Sequence, residues 1–167
     1  MEGVRIIALN LLRAVTDGDD GDARAAMALG SLYGGLCLGP VNTTAVHALS
    51  YPLGGTFHIP HGIANALLLP HVMEFNIPAA PGRFADIAVA LGAETGSTDL
   101  ETAQNGVGVV KKLISDCNVP GRLSDLDIPE TSLETMATAA ITVTRLLKNN
   151  VREVTFDDAL NIYKKAY

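Results

Sequence analysis

The chain has 167 residues, with 12 Lys and Arg against 18 Asp and Glu and a formal net charge of −6. That acidic balance, with no basic stripe, argues against nucleic acid as a partner, and no apolar run approaches the ~20 residues of a membrane span. At 48% hydrophobic residues and a mean hydropathy of +0.26, the composition excludes a disordered chain and supplies a sizeable core. Aromatics make up only 5% and Trp is absent, so that core must be built from Ala, Leu, Ile and Val, a mix that suits close-packed helices. An all-α fold in a single domain is expected. Met1-Glu2-Gly3-Val4-Arg5 lacks the features of a signal peptide, and a cytoplasmic location is expected. Cys37 and Cys117 fall in different predicted helices without Cys-x-x-Cys spacing, and both read as reduced core residues.

In chain order, Val4, Ile7, Ala8, Leu11, Leu12 and Val15 recur at helical spacing until Thr16-Asp17-Gly18. Asp19, Asp20 and Asp22 place negative charge where a helix N-terminus favours it, ahead of an Ala-rich helix from Ala23 to Leu38 that Gly39-Pro40 ends. From Thr44 to Pro60 the pattern is less regular, and Gly54-Gly55 with two prolines argues against a long helix there. Gly62 to Asn76 is apolar enough for a buried helix, kinked at Pro70. Pro81 to Leu91 forms a short amphipathic helix ending at Gly92, a residue suited to the left-handed position past a helix. Capping-box spacing at Thr98-x-x-Glu101, Thr131-x-x-Glu134 and Thr155-x-x-Asp158 predicts helices near 98–116, 131–148 and 155–166, with turns at Pro120-Gly121 and Ile128-Pro129. The total is six or seven helices.

All four histidines, His47, His58, His61 and His71, fall within one short stretch of the chain. Their spacing fits neither His-x-x-x-His nor a zinc finger. In Pro60-His61-Gly62 the imidazole stands at the mouth of an apolar helix, where it either ligates a metal or caps the helix. His58 reads either as lining a cleft or as a polar loop residue, and His71 as a satisfied core residue. Phe57 and Tyr51 either line a cleft or pack.

The run Ala45-Val46-His47-Ala48-Leu49-Ser50-Tyr51-Pro52-Leu53-Gly54-Gly55, followed by Pro60-His61-Gly62-Ile63-Ala64-Asn65-Ala66-Leu67-Leu68-Leu69-Pro70-His71-Val72, closely resembles the signature of the iron-containing (group III) alcohol dehydrogenases. Phe84-Ala85-Asp86-Ile87-Ala88, and the closing helix after Asn150-Val151-Arg152, resemble the same family's C-terminal half. The resemblance spans nearly the whole chain.

It implies a dehydroquinate synthase-like helical domain belonging to an NAD(P)-dependent oxidoreductase that interconverts alcohols with aldehydes or ketones. In that family an N-terminal α/β domain holds the dinucleotide, and the helical domain holds Fe²⁺ or Zn²⁺ through one Asp and three His. His47 and His61 match the third and fourth ligands. The first two lie in an Asp-x-x-x-His motif that these residues do not contain. Where several members carry a further His, often assigned to proton relay, this chain has Tyr51, whose phenol can still hydrogen-bond substrate or water. Each ligand imidazole is expected to be oriented by an outer acceptor that the sequence does not identify. Gly106-Val107-Gly108, the nearest approach to a phosphate-binding loop, lies inside a predicted helix with Lys111 where the fingerprint needs Gly.

The chain is therefore expected to be the metal-binding helical part alone, inactive without a nucleotide domain supplied from elsewhere. The face turned to that domain is expected to be apolar, favouring self-association. The alternative is a truncated helical interaction module without chemistry.

Overall fold

A computed structural model describes all residues from Met1 to Tyr167 and contains helices and no strands, as the composition predicts. The α-helices are α1 (Glu2–Thr16), α2 (Gly21–Val41), α3 (Ala45–Phe57), α4 (His61–Asn76), α5 (Pro81–Ala90), α6 (Asp99–Asp116), α7 (Leu133–Ile141), α8 (Thr144–Leu147) and α9 (Phe156–Ala166), with 3-10 turns at Ile77–Ala79, Leu123–Leu126 and Glu130–Ser132. None is long and apolar enough to cross a membrane. The helices fall into two compact units, residues 1–41 with 80–118 and residues 42–79 with 119–167.

The first unit comprises α1, α2, α5 and α6. Small residues set its packing distances. A Cβ on Gly30 would lie 2.7 Å from Ile7 Cγ1, and one on Gly106 would lie 2.5 Å from Ala88 Cβ, so α1 meets α2, and α5 meets α6, at close range. Thr98 caps α6 as its spacing predicts, accepting from the Glu101 amide at 3.1 Å, while the Glu101 carboxylate turns back to the Ser97 amide and hydroxyl. Gly92 takes the left-handed conformation at φ +84°.

Along α2 only Ala23 and Gly30 are buried, and no charged residue occurs from Ala25 to Val41. Leu29, Leu32, Tyr33 and Leu36, at the spacing of one helix face, are exposed. Cys37 is exposed on this helix and Cys117 half-buried, which corrects the expectation that both are core residues. A helix that buries only small side chains leaves the rest of its surface open.

The second unit carries the larger core: Leu49, Leu53, Leu67, Leu68, Val72, Leu123, Leu133, Met136, Ile162 and Tyr163 form one cluster. Here the structure corrects two boundaries. Residues 45–57 form a continuous helix through Pro52 and Gly54-Gly55, because Ala45, Ala48, Leu49 and Leu53 all bury one side. That burial offsets the rung that Pro52 cannot make. Conversely, the helix expected over 131–148 is divided at Thr142 and Val143 into α7 and the single turn α8, and Ser132 rather than Thr131 stands at the start of α7 with no side-chain cap. The total thus rises to nine α-helices. The Thr155–Asp158 capping box forms in both directions and starts α9.

Candidate metal centre

α3 ends and α4 begins within a tight turn. His58 closes α3 in the left-handed conformation, φ 57° and ψ 26°, and the Ile59 amide returns to the Leu53 carbonyl at 3.1 Å. Histidine tolerates that conformation better than bulky or β-branched residues do. The polar loop residue of the sequence reading is thus an exposed helix-closing residue. Pro60 follows as the N-cap of α4, and His61 is the first residue of that helix.

This turn folds α4 back along α3 and brings His47, from the first turn of α3, to His61. Their ring centroids stand 5.2 Å apart with the planes tilted by 55°. His47 is half-buried and His61 exposed. Burial holds the His47 imidazole below its ordinary pKa, and the nearby His61 lowers it further. A neutral ring retains the lone pair that a divalent cation requires, so His47 enters the neutral pH range in ligating form. A shallow groove of about 390 Å³, lined by Thr43, Thr44, Val46, His47, Asn65 and Leu69 among others, opens beside the pair.

Asn65, one turn beyond His61, completes the contact set. Its Nδ2 donates to the His61 carbonyl at 2.8 Å and lies 3.0 Å from Nε2 and 3.2 Å from Nδ1 of the same ring. Its Oδ1 is buried with no hydrogen-bond partner. The sequence reading passed over Asn65. The available signal was a lone polar side chain four residues after a histidine on an otherwise apolar stretch.

Tyr51, one turn after His47 on α3, is 42% exposed. His71 is half-buried on the wall of a separate groove with Glu74, Phe75 and Arg152, rather than sealed in the core. Arg152 fixes that wall by donating to the Phe75 carbonyl at 3.0 Å and stacking over the Phe75 ring at 4.1 Å. Gly106 and Gly108 sit within α6, where a phosphate loop cannot form.

As a metal centre the donor set is partial. Two imidazoles come together, and no group of three or more His, Cys, Asp or Glu residues does. Two neutral nitrogen donors suit Fe²⁺ or Zn²⁺ but leave the cation's charge uncompensated, so the geometry fits half of a four-ligand site.

The family model described as the Fe-containing alcohol dehydrogenase family, C-terminal, matches residues 1–167. The chain is 40% identical over 142 residues to a 1,3-propanediol dehydrogenase of Klebsiella pneumoniae, covering 84% of this chain and 37% of that protein. It is 34% identical over 168 residues to lactaldehyde reductase of Escherichia coli strain K12, covering 100% of this chain and 43% of the relative. Among solved structures, a 1,3-propanediol oxidoreductase superposes with a TM-score of 0.96 at 36% identity, covering 99% of this chain and 44% of that one. An alcohol dehydrogenase from Oenococcus oeni superposes at 0.95 and 30% identity, covering 99% and 43%. The chain thus spans less than half the length of these relatives.

Proposed function

This chain belongs to the iron-containing alcohol dehydrogenase family, and we propose that it forms the metal-binding helical part of an NAD(P)-dependent dehydrogenase that interconverts alcohols with aldehydes or ketones. One observation carries the reading: the two histidines that match the family signature, distant on the extended chain, face each other at 5.2 Å across the α3–α4 turn. The relatives include proteins named for alcohol and aldehyde chemistry, which supports that substrate class.

His47 and His61 would hold the cation as neutral nitrogen donors. A bound divalent metal supplies Lewis-acid polarisation of the substrate oxygen. The burial that keeps His47 uncharged keeps its lone pair available, and the α3–α4 turn sets the separation of the two rings. Tyr51, exposed one turn from His47, offers a hydroxyl that can donate to or accept from a small alcohol or a water. In this reading the dinucleotide belongs to a nucleotide-binding part, and the Asp and His that would complete the ligand set belong to an Asp-x-x-x-His helix, both beyond these residues, and without them the chain is inactive. The uncharged, exposed face of α2 supports association through that surface, and sedimentation at micromolar concentration should show species larger than the monomer.

Calorimetric titration with Zn²⁺ tests the metal reading. His47→Ala and His61→Ala should each abolish the weak binding of the chain, and His71→Ala should leave it unchanged. Equal affinity in the wild type and in the His47→Ala, His61→Ala double variant would refute it.

A further inference from the structure

We propose that the groove between the end of α4 and α9 is a binding site for a small organic phosphate, held through its oxyanion by Arg152, Lys164 and Lys165. The inference goes beyond the metal reading and does not rest on it. Phe75, on the wall of this groove, lies about four turns beyond His61 on α4, roughly 20 Å along the helix axis.

The chain carries 12 Lys and Arg against 18 Asp and Glu, yet three of those cations line this one groove. Lys164 and Lys165 are exposed and form no ion pair. Of the carboxylates on the walls, Asp158 is committed to its capping box, where Oδ2 accepts from the Thr155 amide at 3.0 Å and the Thr155 hydroxyl at 2.7 Å. Glu74 has a partner already. The groove thus holds positive charge that no carboxylate on its walls pairs with, in a protein that is acidic overall.

Favourable charge at the last turn of α9 accounts for the two lysines by itself. It does not account for Arg152, which is pinned over the same groove. One N–H of its Nη1 goes to the Phe75 carbonyl at 3.0 Å, and the guanidinium lies 4.1 Å over the Phe75 ring. Stacking occupies the flat face of the guanidinium, so the remaining donors in its plane stay available while the side chain gives up its rotamer freedom. A fixed planar fork beside two mobile ammonium groups is a donor set suited to a phosphate. The groove, of about 540 Å³, is larger than a bare phosphate needs, and Phe75 and Pro78 give an organic body apolar surface to rest on.

Titration of the metal-free chain with phenyl phosphate in low-salt buffer tests the site. Binding should saturate, shift the Arg152 Nε–H signal in ¹⁵N spectra, and be tighter than binding of inorganic phosphate. Lys164→Gln with Lys165→Gln replaces two exposed side chains without touching the core. It should weaken binding about tenfold, as two charge-assisted contacts at a partly exposed site would supply. Arg152→Lys, which keeps the charge and loses the fork, should also weaken it. The His47→Ala, His61→Ala double variant should bind phenyl phosphate as the wild type does, whatever becomes of the metal reading. Absence of saturable binding, or equal affinity in the wild type and the Lys164→Gln, Lys165→Gln variant, would overturn the proposal. Inorganic phosphate binding as tightly as phenyl phosphate would overturn the assignment to an organic phosphate.

Discussion

The Tyr163 hydroxyl, fully buried, donates a 2.6 Å hydrogen bond to the carbonyl of Leu49, 114 residues earlier in the chain. Leu49 lies two residues beyond His47, so this bond ties the last helix to the helix that carries half of the candidate site. Burial also drives the phenol's pKa far above its ordinary range, which keeps it a donor throughout the working pH range. Tyr163→Phe should therefore lower stability by about 1 kcal/mol, the net worth of one hydrogen bond. An unchanged urea midpoint would show that the contact contributes nothing.

Two glycine substitutions should move stability in opposite directions. A Cβ at Gly106 would lie 2.5 Å from Ala88 Cβ and 2.9 Å from Ala88 Cα, and the latter belongs to the backbone of α5 and cannot swing aside. Gly106→Ala should cost about 1–3 kcal/mol by overpacking. At Gly35, also inside a helix, a Cβ would meet nothing within 4 Å. Gly35→Ala should gain about 1 kcal/mol from helix propensity alone. Thermal melts of the two variants check both signs, and a stabilised Gly106→Ala would contradict the close α5–α6 packing.

Stability should also fall on mild acidification through His47. Its folded pKa is lowered, chiefly by burial, so between the folded and unfolded values the unfolded chain binds more protons. The contribution is fully present above the ordinary histidine value of about 6.5 and is lost as the pH falls through the lowered one. Melting temperatures from pH 8 to pH 5 should drop more steeply for the wild type than for His47→Gln. Parallel curves would remove His47 as a source of the dependence.

The purified chain, given Fe²⁺, NAD(P)⁺ and a short-chain alcohol, should produce no NAD(P)H, because Gly106 and Gly108 are committed to α6 and form no phosphate loop. Turnover without a second polypeptide would refute the proposed division of labour.

Much of the fold was legible in the sequence because it is locally encoded. The Thr98 and Thr155 caps, the left-handed Gly92 and the apolar periods of α1 and α5 each depend on residues a few positions apart, and each forms where its pattern predicts. The motif around His47 and His61 likewise marked the family before any geometry was known. Tertiary packing decided what local preference argued against. Residues 45–57 are helical through Pro52 and two glycines because four side chains of that stretch pack into the core of their unit, a gain local propensity does not contain. It also decided the site. That His47 meets His61 depends on His58 turning the chain at positive φ, and that Asn65 touches the His61 ring depends on their sharing one face of α4. A sequence specifies which groups are present, but distances across a turn follow only once both helices have been fixed by the core behind them.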